Sequence, residues 1–183
     1  CRASNFLKMT SLFKFPFLLF IVFSFSVSSA EHDSSSKGLV NLDKRFIPIN
    51  KEIILSQEMT IIDGDKNSEI IILDNLDGLN IVNFWASWCN PCIEEISELN
   101  KFQENIYSKN LNVSLIGINI FDKKKDAISF YVKYKPFFKT IFDNKNTISV
   151  KFSVMGVPET YFVKDNKILF KYMGKINQEI LER

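Results

Sequence analysis

Hydrophobic positions fall into three regimes along this chain. Leu12 to Val27 is almost uninterruptedly apolar, Glu31 to Lys37 is polar and serine-rich, and from Phe46 onward short apolar runs alternate with stretches of helical spacing. Met59 to Ile62 and Ile70 to Leu73 read as two short strands about the Asp63-Gly64-Asp65 turn. Ile81 to Trp85 is a continuous apolar run of the kind buried on both faces of a sheet, and Val113 to Ile120 is a second. Between them Ile93, Ile96, Leu99 or Asn100, Phe102 and Ile106 keep helical spacing, with Pro91 early in the helix and Glu94, Glu98, Lys101 and Gln103 mostly outward. Asp122 is placed to cap a helix that runs to about Tyr134 and stops at Pro136. Phe137 to Phe142 is strand-like and Asn146 to Phe152 a short helix. Thr160 to Val163 and Ile168 to Tyr172 form a hairpin around Asp165-Asn166, and a short helix follows Gly174. The order β-α-β-α-β-β-α predicts an α/β sandwich.

The candidate chemistry lies where the first buried run meets its helix, in Asn83-Phe84-Trp85-Ala86-Ser87-Trp88-Cys89-Asn90-Pro91-Cys92. A helix N-terminus carries partial positive charge and unsatisfied N–H groups, so a thiolate placed there is stabilised and its pKa falls. Cys89 is therefore the expected attacking sulfur and Cys92, one turn inside, the resolving one. The remaining cysteine is Cys1, ahead of the apolar leader. Three alternatives stand beside thiol–disulfide exchange. A structural zinc site needs four ligands, whereas the pair could be joined only by His32, far upstream. A purely structural disulfide across two residues would add little loop-closure stabilisation. Copper–thiol handling would rest on Met155 as the soft side chain beside the site. Trp85, within the strand, reads as core, whereas Trp88, next to Cys89, is placed to shield the sulfur and meet a substrate.

The leader bears on the redox compartment. Arg2, Lys8 and Lys14 precede or enter the apolar stretch without any acidic residue, and Ser28-Ser29-Ala30 follows it, which is a signal-peptide pattern with Met9 as a start and cleavage after Ala30. An uncleaved membrane anchor is the alternative reading of residues 1–30. Residues 31–44 then read as a disordered linker and 45–183 as one folded domain. The whole chain has a formal charge of +2, but residues 1–30 hold three basic and no acidic side chains, leaving −1 for the remainder. That near-neutral balance gives no support to nucleic-acid binding, and Lys123-Lys124-Lys125 reads as a solvated first helical turn.

From Gly78 to the C-terminus these motifs resemble the thioredoxin superfamily. Val82 to Cys92 is similar to the signature of its exported TlpA/ResA group. Ile118 to Phe130 and Gly156-Val157-Pro158-Glu159-Thr160-Tyr161-Phe162-Val163 resemble its CcmG/DsbE branch. Leu39 to Leu76 matches only loosely. The resemblance implies a thioredoxin-like three-layer sandwich with a central mixed sheet and an N-terminal β extension. It also implies a cis Val157–Pro158 bond facing the dithiol, with Val157 and Pro158 contacting an extended substrate alongside Trp88. Glu95, three residues after Cys92, and Glu159, after the proline, match acidic positions of that branch. Together with Asp122, at the end of a buried strand, they are expected to tune the thiols or carry their protons. Met155 departs from the branch, which carries tyrosine there. The implied activity is that of a monomeric bacterial periplasmic reductant with no cofactor beyond its own Cys89–Cys92 disulfide. Its substrate would be apocytochrome c or another oxidised protein thiol, and its electrons would come from an inner-membrane donor of the DsbD or CcdA type. A periplasmic oxidase or isomerase, and a non-redox module that only holds apocytochrome, are the competing readings.

Overall fold

A computed structural model describes residues 44–63 and 69–182. The predicted leader, nearly all of the 31–44 linker, and most of the Asp63-Gly64-Asp65 turn lie outside the described residues. Strands β1 (Phe46–Glu52), β2 (Gln57–Ile61), β3 (Ile70–Leu73) and β4 (Leu79–Trp85) lead into helix α1 (Asn90–Ser108). There follow β5 (Val113–Asn119), α2 (Lys124–Tyr134), β6 (Lys139–Phe142), α3 (Thr147–Phe152), β7 (Glu159–Lys164), β8 (Lys167–Met173) and α4 (Gln178–Leu181).

All eight strands join one mixed sheet in the order β1-β8-β7-β4-β5-β6-β2-β3. β4, β5 and β6 run parallel, as helical crossovers require, and every other pairing is antiparallel. The central strand β4 is flanked by β5 and β7, so it has no free edge, and six of its seven residues are buried. This is the sandwich the periodicity predicts, with helices on both faces.

Side-chain alternation along the strands sorts the core into two layers. Ile81, Trp85, Leu115 and Phe162 face α1 and α2, packing with Ile96, Leu99, Phe102 and Phe130. Val82, Phe84, Ile116, Ile118 and Tyr161 face the other way, against Ile148 and Phe152 of α3. Trp85 is core, 4.4 Å ring to ring from Phe130, as its place in the strand predicts. The β7–β8 hairpin turns on Asp165 and Asn166, with φ of 48° and 62°, the left-handed pair that a two-residue turn between twisted strands demands. Helix α2 ends on Lys135 in the left-handed conformation, immediately before Pro136.

Three details depart from the sequence reading. The strand β1 is not evident in the hydrophobic pattern, because it sits on the sheet edge with mostly exposed side chains and a register shift after Pro48. Gln103, expected outward, is buried on α1. Asp122 does not cap α2, whose N-cap residue is Lys123 with no side-chain cap bond; its carboxylate is committed elsewhere, as described below.

Gly117 in β5 leaves no room for a side chain against the α1 and α2 layer of the core. A Cβ there would stand 2.8 Å from Phe138 Cε2 and 3.2 Å from Trp85 Nε1. Gly117→Ala is expected to cost about 1–3 kcal/mol through overpacking, measured as a lower urea midpoint at unchanged m-value. An unchanged midpoint would show that Phe138 yields freely.

Candidate functional site

Strand β4 delivers the chain to the end of the sheet, and α1 starts after four intervening residues. Cys89 is the N-cap of α1, in extended conformation (φ −90°, ψ 102°), and its sulfur accepts the Cys92 backbone N–H at 3.2 Å. The Cys92 N–H is shared between the Cys89 carbonyl, at 3.1 Å, and the sulfur, and its approach to sulfur is the arrangement that stabilises negative charge there. Pro91 occupies the first turn, where its missing N–H leaves no gap. Cys89 and Cys92 are joined by a disulfide, with Cα atoms 5.3 Å apart. Their exposure is unequal. Cys89 retains 4% and Cys92 none, while Trp88 beside them is 61% exposed. Access to this oxidised pair is thus narrower than the sequence suggests, and it is by way of Cys89.

The loop ahead of Cys89 is clasped by the end of β5. Asp122 accepts Ser87 N–H at 2.6 Å and Ser87 Oγ at 3.0 Å, and takes further donors from Asn119 Nδ2 and the Lys123 backbone. Trp88 Nε1 donates to the Phe121 carbonyl at 3.1 Å. Asp122 thus holds the approach to the dithiol rather than an α-helix end.

Glu95, one turn beyond Cys92 on the same face of α1, is fully buried. Asn83 of β4 donates to its Oε1 at 2.9 Å and the Ile176 N–H to its Oε2 at 3.0 Å. Asn83 also donates to Thr160 Oγ1, so α1, β4, β7 and the segment before α4 meet at this carboxyl. Burial pushes the Glu95 pKa up to about 7, and the two hydrogen bonds only partly offset it.

Glu159 belongs to a different layer. It pairs in register with Phe84, on the α3 side of the sheet, and its carboxylate holds Lys171 Nζ at 3.0 Å and the Tyr161 hydroxyl at 2.7 Å. The Val157–Pro158 bond is cis. Pro158 is buried, and Val157 is half-buried and packs against both core layers. The structure therefore gathers Cys89, Cys92 and Glu95 on α1, brings Asp122 and Trp88 to the loop before it, and sets Glu159 on the opposite face of the sheet. Sequence reasoning overlooked Asn83, Thr160 and Lys171. Each is a polar residue inside a strand read as apolar, and that misfit was the available signal. Among the described residues, no group of three or more His, Cys, Asp or Glu side chains is arranged to hold a metal, and no helix is long and apolar enough to cross a membrane.

Comparison with known proteins adds a family match. Residues 55–171 match the AhpC/TSA family. The chain is 28% identical over 144 residues to the thiol:disulfide interchange protein DsbE of Allochromatium vinosum, covering 77% of each. Against DsbE of Escherichia coli it is 27% identical over 104 residues, 56% of this chain and 53% of that protein, so the chain spans about half the length of that relative. Among solved structures, StoA from Bacillus subtilis superposes with a TM-score of 0.56 at 20% identity, covering 74% of this chain and 96% of that one, which speaks for the shared fold.

A raised Glu95 pKa has a signed consequence for stability. The folded state binds this proton more tightly than the unfolded state, whose value is near 4.5. The benefit is fully present below about pH 4.5 and is lost as pH rises to about 7, after which it is level. The window is worth up to about 3 kcal/mol. In the oxidised protein, Glu95→Gln should remove this contribution, so that the difference in urea stability between pH 5 and pH 8 shrinks. An unaltered pH dependence would place the titration on another group.

Proposed function

We propose that this chain, which belongs to the AhpC/TSA family, is a thiol:disulfide oxidoreductase that works as a periplasmic reductant of protein disulfides, with the haem-binding cysteines of apocytochrome c as client. The observation that carries the reading is the Cys89–Cys92 pair at the tip of α1, with the Cys92 N–H directed at the Cys89 sulfur. The thiol:disulfide interchange proteins among its relatives support the same chemistry. The apocytochrome client, the periplasmic setting and the membrane donor rest on the resemblance of Ile118 to Phe130 and Gly156 to Val163 to the CcmG/DsbE branch.

The reaction starts from the reduced dithiol. The Cys89 thiolate attacks one sulfur of the client disulfide; that S–S bond breaks, a mixed disulfide forms, and one client thiolate leaves. Cys92 then loses its proton and attacks the Cys89 sulfur. The mixed disulfide breaks, the second client thiolate departs, and the Cys89–Cys92 bond forms, so two electrons have passed to the client. Glu95, with a pKa of about 7 one turn behind Cys92, is suited to take the Cys92 proton. Trp88 and the Val157–Pro158 segment flank the path of an extended client. A reductant in an oxidising compartment must be recharged, and a membrane thiol conduit of the DsbD or CcdA type would supply the electrons. The N-terminal segment would serve as export signal or tether.

Two experiments test this. Equilibrium titration against glutathione should give a potential near or below that of thioredoxin, about −270 mV; a value near that of the strong oxidant DsbA, about −120 mV, would make the protein an oxidase. Cys89→Ser should abolish client reduction, whereas Cys92→Ser should accumulate client mixed disulfides. Full reductase activity in either variant would end the dithiol mechanism, and full rescue of cytochrome assembly by Cys89→Ala/Cys92→Ala would favour a binding module.

A further inference from the structure

The buried ion pair on the α3 face of the sheet has a geometry that suits it to a positioning task. Lys171 of β8 and Glu159 of β7 are almost wholly enclosed, with side-chain exposures of 8% and 3%. Their neighbours are aromatic: Phe84, Phe152 and Tyr161 stack edge to face within 5.1–5.3 Å of one another. An ion pair in such a setting contributes little net stability compared with apolar residues of the same volume, whereas deleting one partner strands a buried charge. What the pair does provide is direction.

Glu159 Oε2 receives Lys171 Nζ at 3.0 Å and the Tyr161 hydroxyl at 2.7 Å. That leaves Oε1 free to reach back along the chain and accept the Met155 N–H at 3.3 Å. Tyr161 Oη also lies 3.4 Å from the Ser153 carbonyl. The segment from Ser153 to Val157, which precedes Pro158, is thus tied to the sheet from beneath at two points. Its upper side is open, with Met155 83% exposed.

We propose that Lys171 is a positioning residue for the client-binding segment 153–158, acting through Glu159. Its ammonium fixes the carboxylate so that Oε1 presents an acceptor to Met155 N–H and thereby sets the height at which this segment offers its backbone to a client. The proposal rests on the reading that clients dock at this segment, but its first readout does not.

The test compares wild type, Lys171→Met, Lys171→Arg and the double variant Lys171→Met/Glu159→Gln, in which a neutral amide retains the acceptor and leaves no buried charge. Amide hydrogen exchange at Met155 should speed up about tenfold in Lys171→Met, the scale expected for losing a charge-assisted partner, and return to wild type in the double variant. In exchange assays, Lys171→Met should raise KM for an oxidised Cys-x-x-Cys-His peptide by about the same factor at unchanged kcat. Its rate with glutathione disulfide, a client too small to use the segment, should not change.

Unchanged Met155 exchange in a folded Lys171→Met overturns the proposal, as does a double variant that exchanges as fast as the single one. Should Lys171→Met fail to fold, Lys171→Gln takes its place in the same comparison: faster Met155 exchange than in wild type and Lys171→Arg upholds the proposal, and wild-type exchange overturns it. Altered Met155 exchange with wild-type peptide KM overturns the client-docking part alone. Absence of any exchange activity in wild type would defeat the proposed function and leave the positioning result standing.

Discussion

One hydrogen bond, from the Cys92 backbone N–H to the Cys89 sulfur, gives the rest of the structure its purpose. It exists because a helix begins just past the end of a central strand. β4 is paired with β5 along its whole length to Trp85 and with β7 as far as Phe84. Pro91 then commits the chain to helical geometry within one turn. The Cys92 N–H, which also reaches the Cys89 carbonyl, is thereby aimed at sulfur, and charge on Cys89 would meet the dipole of the helix start.

Around this point the polar groups divide by sheet face. On the α1 face, Glu95 gathers Asn83 and Ile176 beneath the second cysteine, and Asp122 locks Ser87 just before the first. On the α3 face, Glu159, Tyr161 and Lys171 form a set whose outward bonds go to the Met155 N–H and the Ser153 carbonyl. The same strand, β7, serves both: Thr160 faces Asn83, and Glu159 and Tyr161 face away. Two acidic residues that look equivalent in the sequence, Glu95 and Glu159, therefore occupy different environments. Desolvation governs Glu95, with no cation in hydrogen-bonding contact, whereas Glu159 has a buried ammonium 3.0 Å away.

Much of this was legible from residue order. Ile81 to Trp85 and Val113 to Ile120 announce themselves as central strands because burial on both faces removes polar alternation, and the spacing of Ile96, Leu99, Phe102 and Ile106 marks the inner face of α1. The dithiol's place at a strand-to-helix junction follows from the same pattern. What was not legible depends on tertiary partners. β1 carries Pro48 and exposed side chains because only one of its edges is paired, so no apolar period betrays it. Asp122 has the composition of a helix cap, yet Ser87, 35 residues away, supplies two donors for its carboxylate. Lys171 looks like a solvent-facing strand residue until the fold brings Glu159, diagonal to it across the β7–β8 pair, within 3.0 Å. In each case a local propensity was outweighed by a contact between distant segments.

The central claim is that the helix tip makes Cys89 the nucleophile, and thiol alkylation of the reduced protein as a function of pH tests it most directly. With modified residues identified by mass spectrometry, modification should fall on Cys89, with a midpoint below the ordinary cysteine value of about 8.5, while Cys92 stays unmodified across that range. Preferential alkylation of Cys92, or a Cys89 midpoint at or above the ordinary value, would contradict the account.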